Sequence, residues 1–140
     1  MINMRTVGID YGDARVGIAV CDLTGTLASA VCTINVTGMR DAVKKVCEQL
    51  KKLEAEDIVL GLPVNMDGSE SFRAEKTHAF ADMLREQSGL EITFVDERLS
   101  TVEAYTYLNI TDYNGKKRRK VIDALSAQII LQSYLDSKKK

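Results

Sequence analysis

The sequence predicts an α/β protein on one mixed five-stranded sheet, with an antiparallel meander of strands 1–3, then parallel strands 4 and 5, and helices on both faces. Two observations predict it. Apolar residues repeat with a period of two over the first 36 positions, then switch between helical spacing and short continuous apolar runs. Turn-forming residues separate the first three strands closely, whereas a helix-length segment precedes each later one. The 140 residues are expected to form a single domain, 1–140, able to bury a core without disulfides or a structural metal.

Residues 4–10 read as the first strand, with Val7 and Ile9 alternating against Thr6 and Gly8. Tyr11-Gly12-Asp13 carries turn chemistry. Residues 16–22 are the second strand, where Val16, Ile18 and Val20 share a face. Thr24-Gly25 breaks it, and residues 27–36, rich in β-formers, are the third. Val43, Val46, Cys47, Leu50 and Leu53 then fall at helical spacing, so 39–54 is a helix. Ile58-Val-Leu-Gly-Leu62, closed by Pro63, reads as a buried parallel strand. Residues 65–69 are a loop, and 72–87 a second helix stopped by Gly89. Residues 90–95 are the fifth strand. Ser100-x-x-Glu103 is a capping box that starts a helix at Thr101. A polar loop at 111–115 leads into a last helix, 116–135, apolar at Ile122, Leu125 and Ile129.

Composition narrows the class. Cys21, Cys32 and Cys47 show no C-x-x-C spacing, so neither a zinc site nor a redox pair is suggested. They sit in apolar stretches and read as small buried hydrophobes suited to a reducing cytosol. The first ten residues lack the apolar core of a signal peptide, and no run approaches the ~18 apolar residues of a membrane span. A cytoplasmic protein with no membrane partner is expected. The net charge of −1 does not point to a polyanion. Local charge does: Lys116, Lys117, Arg118, Arg119 and Lys120 form one basic block, and three lysines end the chain.

Three acids stand in unusual surroundings. Asp10 ends the first strand, Asp96-Glu97 closes the fifth, and Asp123 lies among Val121, Ile122, Ala124 and Leu125. A carboxylate at the end of an apolar strand is solvated, paired or metal-bound. Singly, each also reads as the start of a loop or the wet face of a helix. Together they point further, because parallel strands one and five place Asp10 and Glu97 at the carboxyl edge of the sheet, where open α/β sheets bind ligands. Converging carboxylates are hard oxygen donors that suit Mg²⁺ or Mn²⁺. Whether Asp96 shares that role is open, since neighbours on a strand point to opposite faces. The lone His78 reads as a surface or partly packed helix residue rather than a catalyst.

Gly8, Gly12 and Gly17 surround Asp10 without forming a Rossmann fingerprint or a P-loop. They allow close backbone approach to a phosphate, or simply relieve crowding in a hairpin. Arg15 can clamp a phosphate or lie solvated at the edge. The basic block precedes Asp123 and opposes the helix dipole there, so local stability does not account for it. It suits guidance of a polyanion.

Four segments together resemble the YqgF family, bacterial proteins described as pre-16S rRNA nucleases and as Holliday junction resolvases. They are Gly8-Ile-Asp-Tyr-Gly-Asp-Ala-Arg-Val-Gly-Ile-Ala19, Gly61-Leu-Pro-Val-Asn-Met-Asp-Gly-Ser69, Asp96-Glu-Arg-Leu-Ser-Thr101 and Val121-Ile-Asp-Ala-Leu-Ser-Ala-Gln-Ile-Ile-Leu-Gln132. The resemblance covers nearly the whole chain. It implies an RNase-H-like fold, catalytic acids at Asp10, Glu97 and Asp123, and a role in trimming the 5′ end of 16S rRNA during ribosome maturation. Ser126-Ala127 followed by polar Gln128 departs from the small apolar pair frequent in the family.

The expected activity is metal-dependent phosphodiester hydrolysis, with Asp10 bridging two Mg²⁺ or Mn²⁺ ions and Glu97 and Asp123 each completing one site. Arg15, Arg98 and the 116–120 block are the expected substrate-binding residues. The expected partner is nucleic acid, RNA before DNA, within a pre-ribosomal particle. Junction resolution is the alternative and demands a dimer for two symmetric cuts. No dimer seam is evident, so a monomer is expected. A non-catalytic RNA-binding factor is the alternative of another class. The hairpin also resembles the phosphate hairpin of actin-like and sugar-kinase ATPases, which need a second hairpin that 140 residues do not accommodate. No aromatic stacking platform or 2′-hydroxyl reader is identifiable in the sequence.

Overall fold

The computed structural model describes residues 5–65, 67–96 and 115–138, the side chains of the last segment from Asp123 onward. The expected helix at Thr101 and the side chains of the basic block at 116–120 lie outside the described residues. The strands are β1 (Thr6–Tyr11), β2 (Arg15–Cys21), β3 (Ala28–Asn35), β4 (Asp57–Leu62) and β5 (Ile92–Asp96). The helices are α1 (Met39–Lys52), α2 (Phe72–Ser88) and α3 (Gly115–Ser137). The sheet order is β3-β2-β1-β4-β5. β1–β2 and β2–β3 pair antiparallel, and β1–β4 and β4–β5 pair parallel. The carboxyl ends of β1, β4 and β5 therefore share one edge.

The alternation of β1 sorts its residues between two cores. Val7, Ile9 and Tyr11 pack with Val16, Ile18, Ile58 and Leu60 under α1 and α2. From the helices come Val43, Val46 and Leu50 of α1, and Phe80 and Leu84 of α2. Tyr11 stacks on Phe80 with ring centroids 4.2 Å apart. On the opposite face Ala19, Cys21, Ala28 and Val59 pack under Ala127, Ile130, Leu131 and Leu135 of α3. The β-residues on that face are small, so α3 lies close. A Cβ on Gly8 would stand 2.7 Å from the Leu131 Cβ and 2.9 Å from the Ala127 carbonyl. Full burial of Ile130 and Leu131 contributes about 1.5–3 kcal/mol each.

Two glutamines fasten α3 to the edge strand. The Ala28 N–H donates to Gln132 Oε1 at 2.9 Å, and Gln132 Nε2 donates to the Thr26 carbonyl at 3.0 Å. Gln128 Nε2 donates to the Ala28 carbonyl at 3.2 Å. The polar Gln128, out of place in an apolar helix stripe, thus satisfies backbone at the outer end of the sheet.

The elements stop where local chemistry stops them. α1 ends at Lys52, two residues short of the apolar pattern, because Glu54 turns left-handed at φ 54°. Gly89, at φ 72°, ends α2 and donates its N–H to the Arg85 carbonyl. β5 starts two residues later than its apolar run and includes Asp96, which lies in register with Leu62. A bulge between Ile18 and Ala19 leaves Val31 of β3 as the extra residue.

Candidate active site

Asp10 is the penultimate residue of β1 and pairs across the hairpin with Gly17. Alternation puts both on the α3 face, with Gly8 and Ala19. Gly17 has no room for a side chain: a Cβ there would collide with the Asp123 carbonyl and stand 3.0 Å from the Ala124 nitrogen. The helix backbone at Asp123 thus rests on the strand residue opposite Asp10. The two acids, 113 positions apart in the chain, thus both lie at the carboxyl edge of the sheet. Gly8 and Gly17 therefore serve close approach, to a helix.

Arg15 completes this corner. Its Nε donates to Asp123 Oδ2 at 2.6 Å, with side chains 32% and 19% exposed. A charge-assisted bond in this half-buried setting fixes the Asp123 carboxylate in one orientation.

Asp96 falls on the other side. It has the strand parity of Ile92 and Phe94, which pack against the α1/α2 core, and not that of Val95, which packs under α3. Glu97 and Arg98 lie outside the described residues. Among the described residues no group of three His, Cys, Asp or Glu side chains is placed to hold a metal ion. Asp10 and Asp123 are the two described members of the expected trio. They offer oxygen donors alone, a set that fits Mg²⁺ or Mn²⁺ and suits zinc poorly.

The remaining candidates resolve simply. His78 contacts Glu70 Oε1 at 2.7 Å and sets its ring edge-on to Phe94, so it is a partly packed helix residue. The three cysteines are free thiols. Burial raises the Cys32 and Cys47 thiols, and Cys21 Sγ accepts the Thr6 N–H at 3.1 Å. Burial, and next the Asp13 charge, raise the Tyr11 phenol.

Beside the hairpin turn the structure shows a feature that no motif marked. Tyr11, Gly12, Asp13, Arg73, Lys76 and Thr77 line a small polar cleft. Lys76 Nζ pairs with Asp13 Oδ1 at 3.2 Å across it. The only signal in the sequence is that the parallel strand β4 ends at the carboxyl edge, so the start of α2 that follows lies there.

The strand order and pairing are those of the RNase-H-like fold. The fowlpox virus resolvase, solved with Holliday junction DNA, superposes with a TM-score of 0.61 at 14% identity, over 98% of this chain and 100% of that one. T. thermophilus RuvC, also solved with a Holliday junction substrate, gives 0.57 at 12% identity, over 97% and 96%. The chain belongs to the RuvX family, whose model, described as Holliday junction resolvase, matches residues 4–137. Its relatives include proteins named "Putative pre-16S rRNA nuclease". One from Caldanaerobacter subterraneus subsp. tengcongensis is 44% identical, over 97% of this chain and 99% of its own. One from Clostridioides difficile is 41% identical, over 99% and 98%. The chain is thus a member of a nuclease family. No helix among the described residues is long and apolar enough to cross a membrane.

Proposed function

We propose that this protein is a divalent-metal-dependent endonuclease that processes the 5′ end of precursor 16S rRNA. The observation that supports the reading is the seating of α3 on Gly17, which sets the Asp123 backbone against the cross-strand partner of Asp10 at the carboxyl edge. The names of relatives above 40% identity favour RNA. In this reading Asp10, Glu97 and Asp123 hold Mg²⁺ or Mn²⁺. Bound divalent ions would supply charge neutralisation of the phosphate and a water of lowered pKa. The chain's own groups do the rest. Arg15 orients Asp123 through Nε, and its guanidinium can also donate to a substrate phosphate. Arg98 and Lys116, Lys117, Arg118, Arg119 and Lys120 bind the strand's phosphates, so binding weakens as salt rises.

The test is cleavage of matched single-stranded RNA, single-stranded DNA and four-way junctions with Mg²⁺ or Mn²⁺. The wild type is expected to cut RNA best. Asp10→Asn is expected to lose cleavage while its melting temperature moves only slightly, because the residue stands at a strand end. Full activity in that variant overturns the reading. The description of the family model favours a second reading, junction resolution. That activity would show as paired symmetric cuts made by a dimer in solution.

A further inference from the structure

We infer that Phe72, with Lys76 and Arg73, is a stacking platform for an unpaired base of the nucleic-acid strand, at the carboxyl edge of the sheet where Asp10 and Asp123 also lie. The inference rests on the nuclease reading above and adds to it a substrate class: a strand that is single-stranded next to the cut.

Phe72 opens α2 and is 69% exposed, the most exposed large hydrophobic side chain among the described residues. The other two phenylalanines behave as core residues: Phe80 is fully buried and Phe94 packs against the same core. One exposed ring is ordinary by itself. What singles this one out is Lys76, whose Nζ lies 5.0 Å from the ring centroid. The ring thus has a cation near it and ample surface facing solvent. The same Nζ reaches Asp13, only three residues beyond Asp10. Three residues of chain reach at most about 11 Å, so the Asp13 backbone stays near that of Asp10 at the carboxyl edge. Arg73 lines the same cleft as Lys76 and Asp13.

A ring with cations beside it is how proteins hold single strands: the base stacks on the aromatic face and the cations meet the phosphates. The Lys76–Asp13 pair does not oppose this. Asp13 is 71% exposed, and an ion pair in such a setting is weak enough for a phosphate to replace the carboxylate. A protein partner fits less well, because docking surfaces are contiguous apolar patches. The other exposed large apolar side chains among the described residues, Leu23, Leu27 and Val31, belong to β3 and the turn before it, and Phe72 stands among charges.

The chain contains no tryptophan, so Phe72→Trp installs a single fluorescent reporter at the platform. The variant is titrated, without divalent ions, with a short fluorescein-labelled single-stranded RNA and with the duplex of the same sequence. Anisotropy reports binding and tryptophan emission reports stacking. The single strand is expected to quench the emission, and the duplex to leave it unchanged. Phe72→Ala is expected to weaken single-strand binding about tenfold and duplex binding little. Saturable binding with unquenched emission, equal quenching by the duplex, or no loss in Phe72→Ala overturns the platform and leaves the nuclease reading standing. A wild type that binds neither probe overturns both.

Discussion

Asp123 reaches its place by two contacts of different kinds, its carbonyl against Gly17 and its carboxylate on Arg15. The second predicts how Arg15 works. The pair is too exposed to matter greatly for folding, so Arg15→Ala is expected to cost about 1 kcal/mol or less of stability. Its effect on cleavage separates two roles. If Arg15 chiefly orients Asp123, kcat falls with KM nearly unchanged; if it chiefly clamps phosphate, KM rises. Arg15→Lys restores charge but not the planar Nε–H that meets Oδ2, so it is expected to recover KM better than kcat. Equal recovery of both would refute the orienting role. The acids were visible in the sequence because Asp10 and Asp123 interrupt apolar surroundings. Arg15 was visible only as a candidate, since its partner is 108 residues away and no local pattern encodes that meeting. Phe72 was hidden for the opposite reason: an aromatic at the start of a helix reads as core until its exposure is seen.

α3 is the element that assembles the site, and it does so by fitting a face stripped of side chains. Gly8, Gly17 and Ala19 leave room for its backbone, and Gln128 and Gln132 hold it along β3. A methyl group at Gly17 meets carbonyl and peptide atoms that have no rotamer to yield with. Gly17→Ala is therefore expected to destabilise the fold by on the order of 3 kcal/mol and to abolish cleavage, although Gly17 bears no chemistry. Urea unfolding and an activity assay check both. A variant of wild-type stability would mean that α3 is not seated as described. The strands and the three described helices were legible because their apolar periods differ, and each lies within two residues of its expected bounds. The shifts had causes outside the period: the left-handed Glu54 shortens α1, and pairing with Leu62 carries β5 to Asp96. The bulge at Val31 left no trace in the alternation, because β-branched and small residues continue through it.

Across the whole molecule, ionisation sets the pH range in which the fold holds. Asp22 and Asp41 are held below the usual carboxylate range, first by the backbone N–H groups of Thr26 and Thr37 respectively. Their contribution is present above the unfolded value of 3.8 and is lost as pH falls through the folded one. Cys32, Cys47 and Tyr11 act at the other end. All three lean on the α1/α2 core, and burial raises each above its ordinary value, 9.0 for the thiols and 10.0 for the phenol. The unfolded chain therefore gives up these protons before the folded one does. Their contribution is complete below the unfolded values and is lost as pH rises through the folded ones. The melting temperature is thus expected to hold steady from about pH 5 to 8 and to fall as pH climbs past 9. Cys32→Ala with Cys47→Ala separates the thiols from the general gain of negative charge at alkaline pH. That variant starts lower because small gaps open where the thiols pack against the α1/α2 core, and its melting temperature is expected to decline less steeply between about pH 8.5 and 10 than the wild type's. An identical slope in both proteins would show that the thiols do not set the alkaline limit, and the fall would then belong to Tyr11 and to charge repulsion, which the rise of tyrosinate absorbance can follow directly.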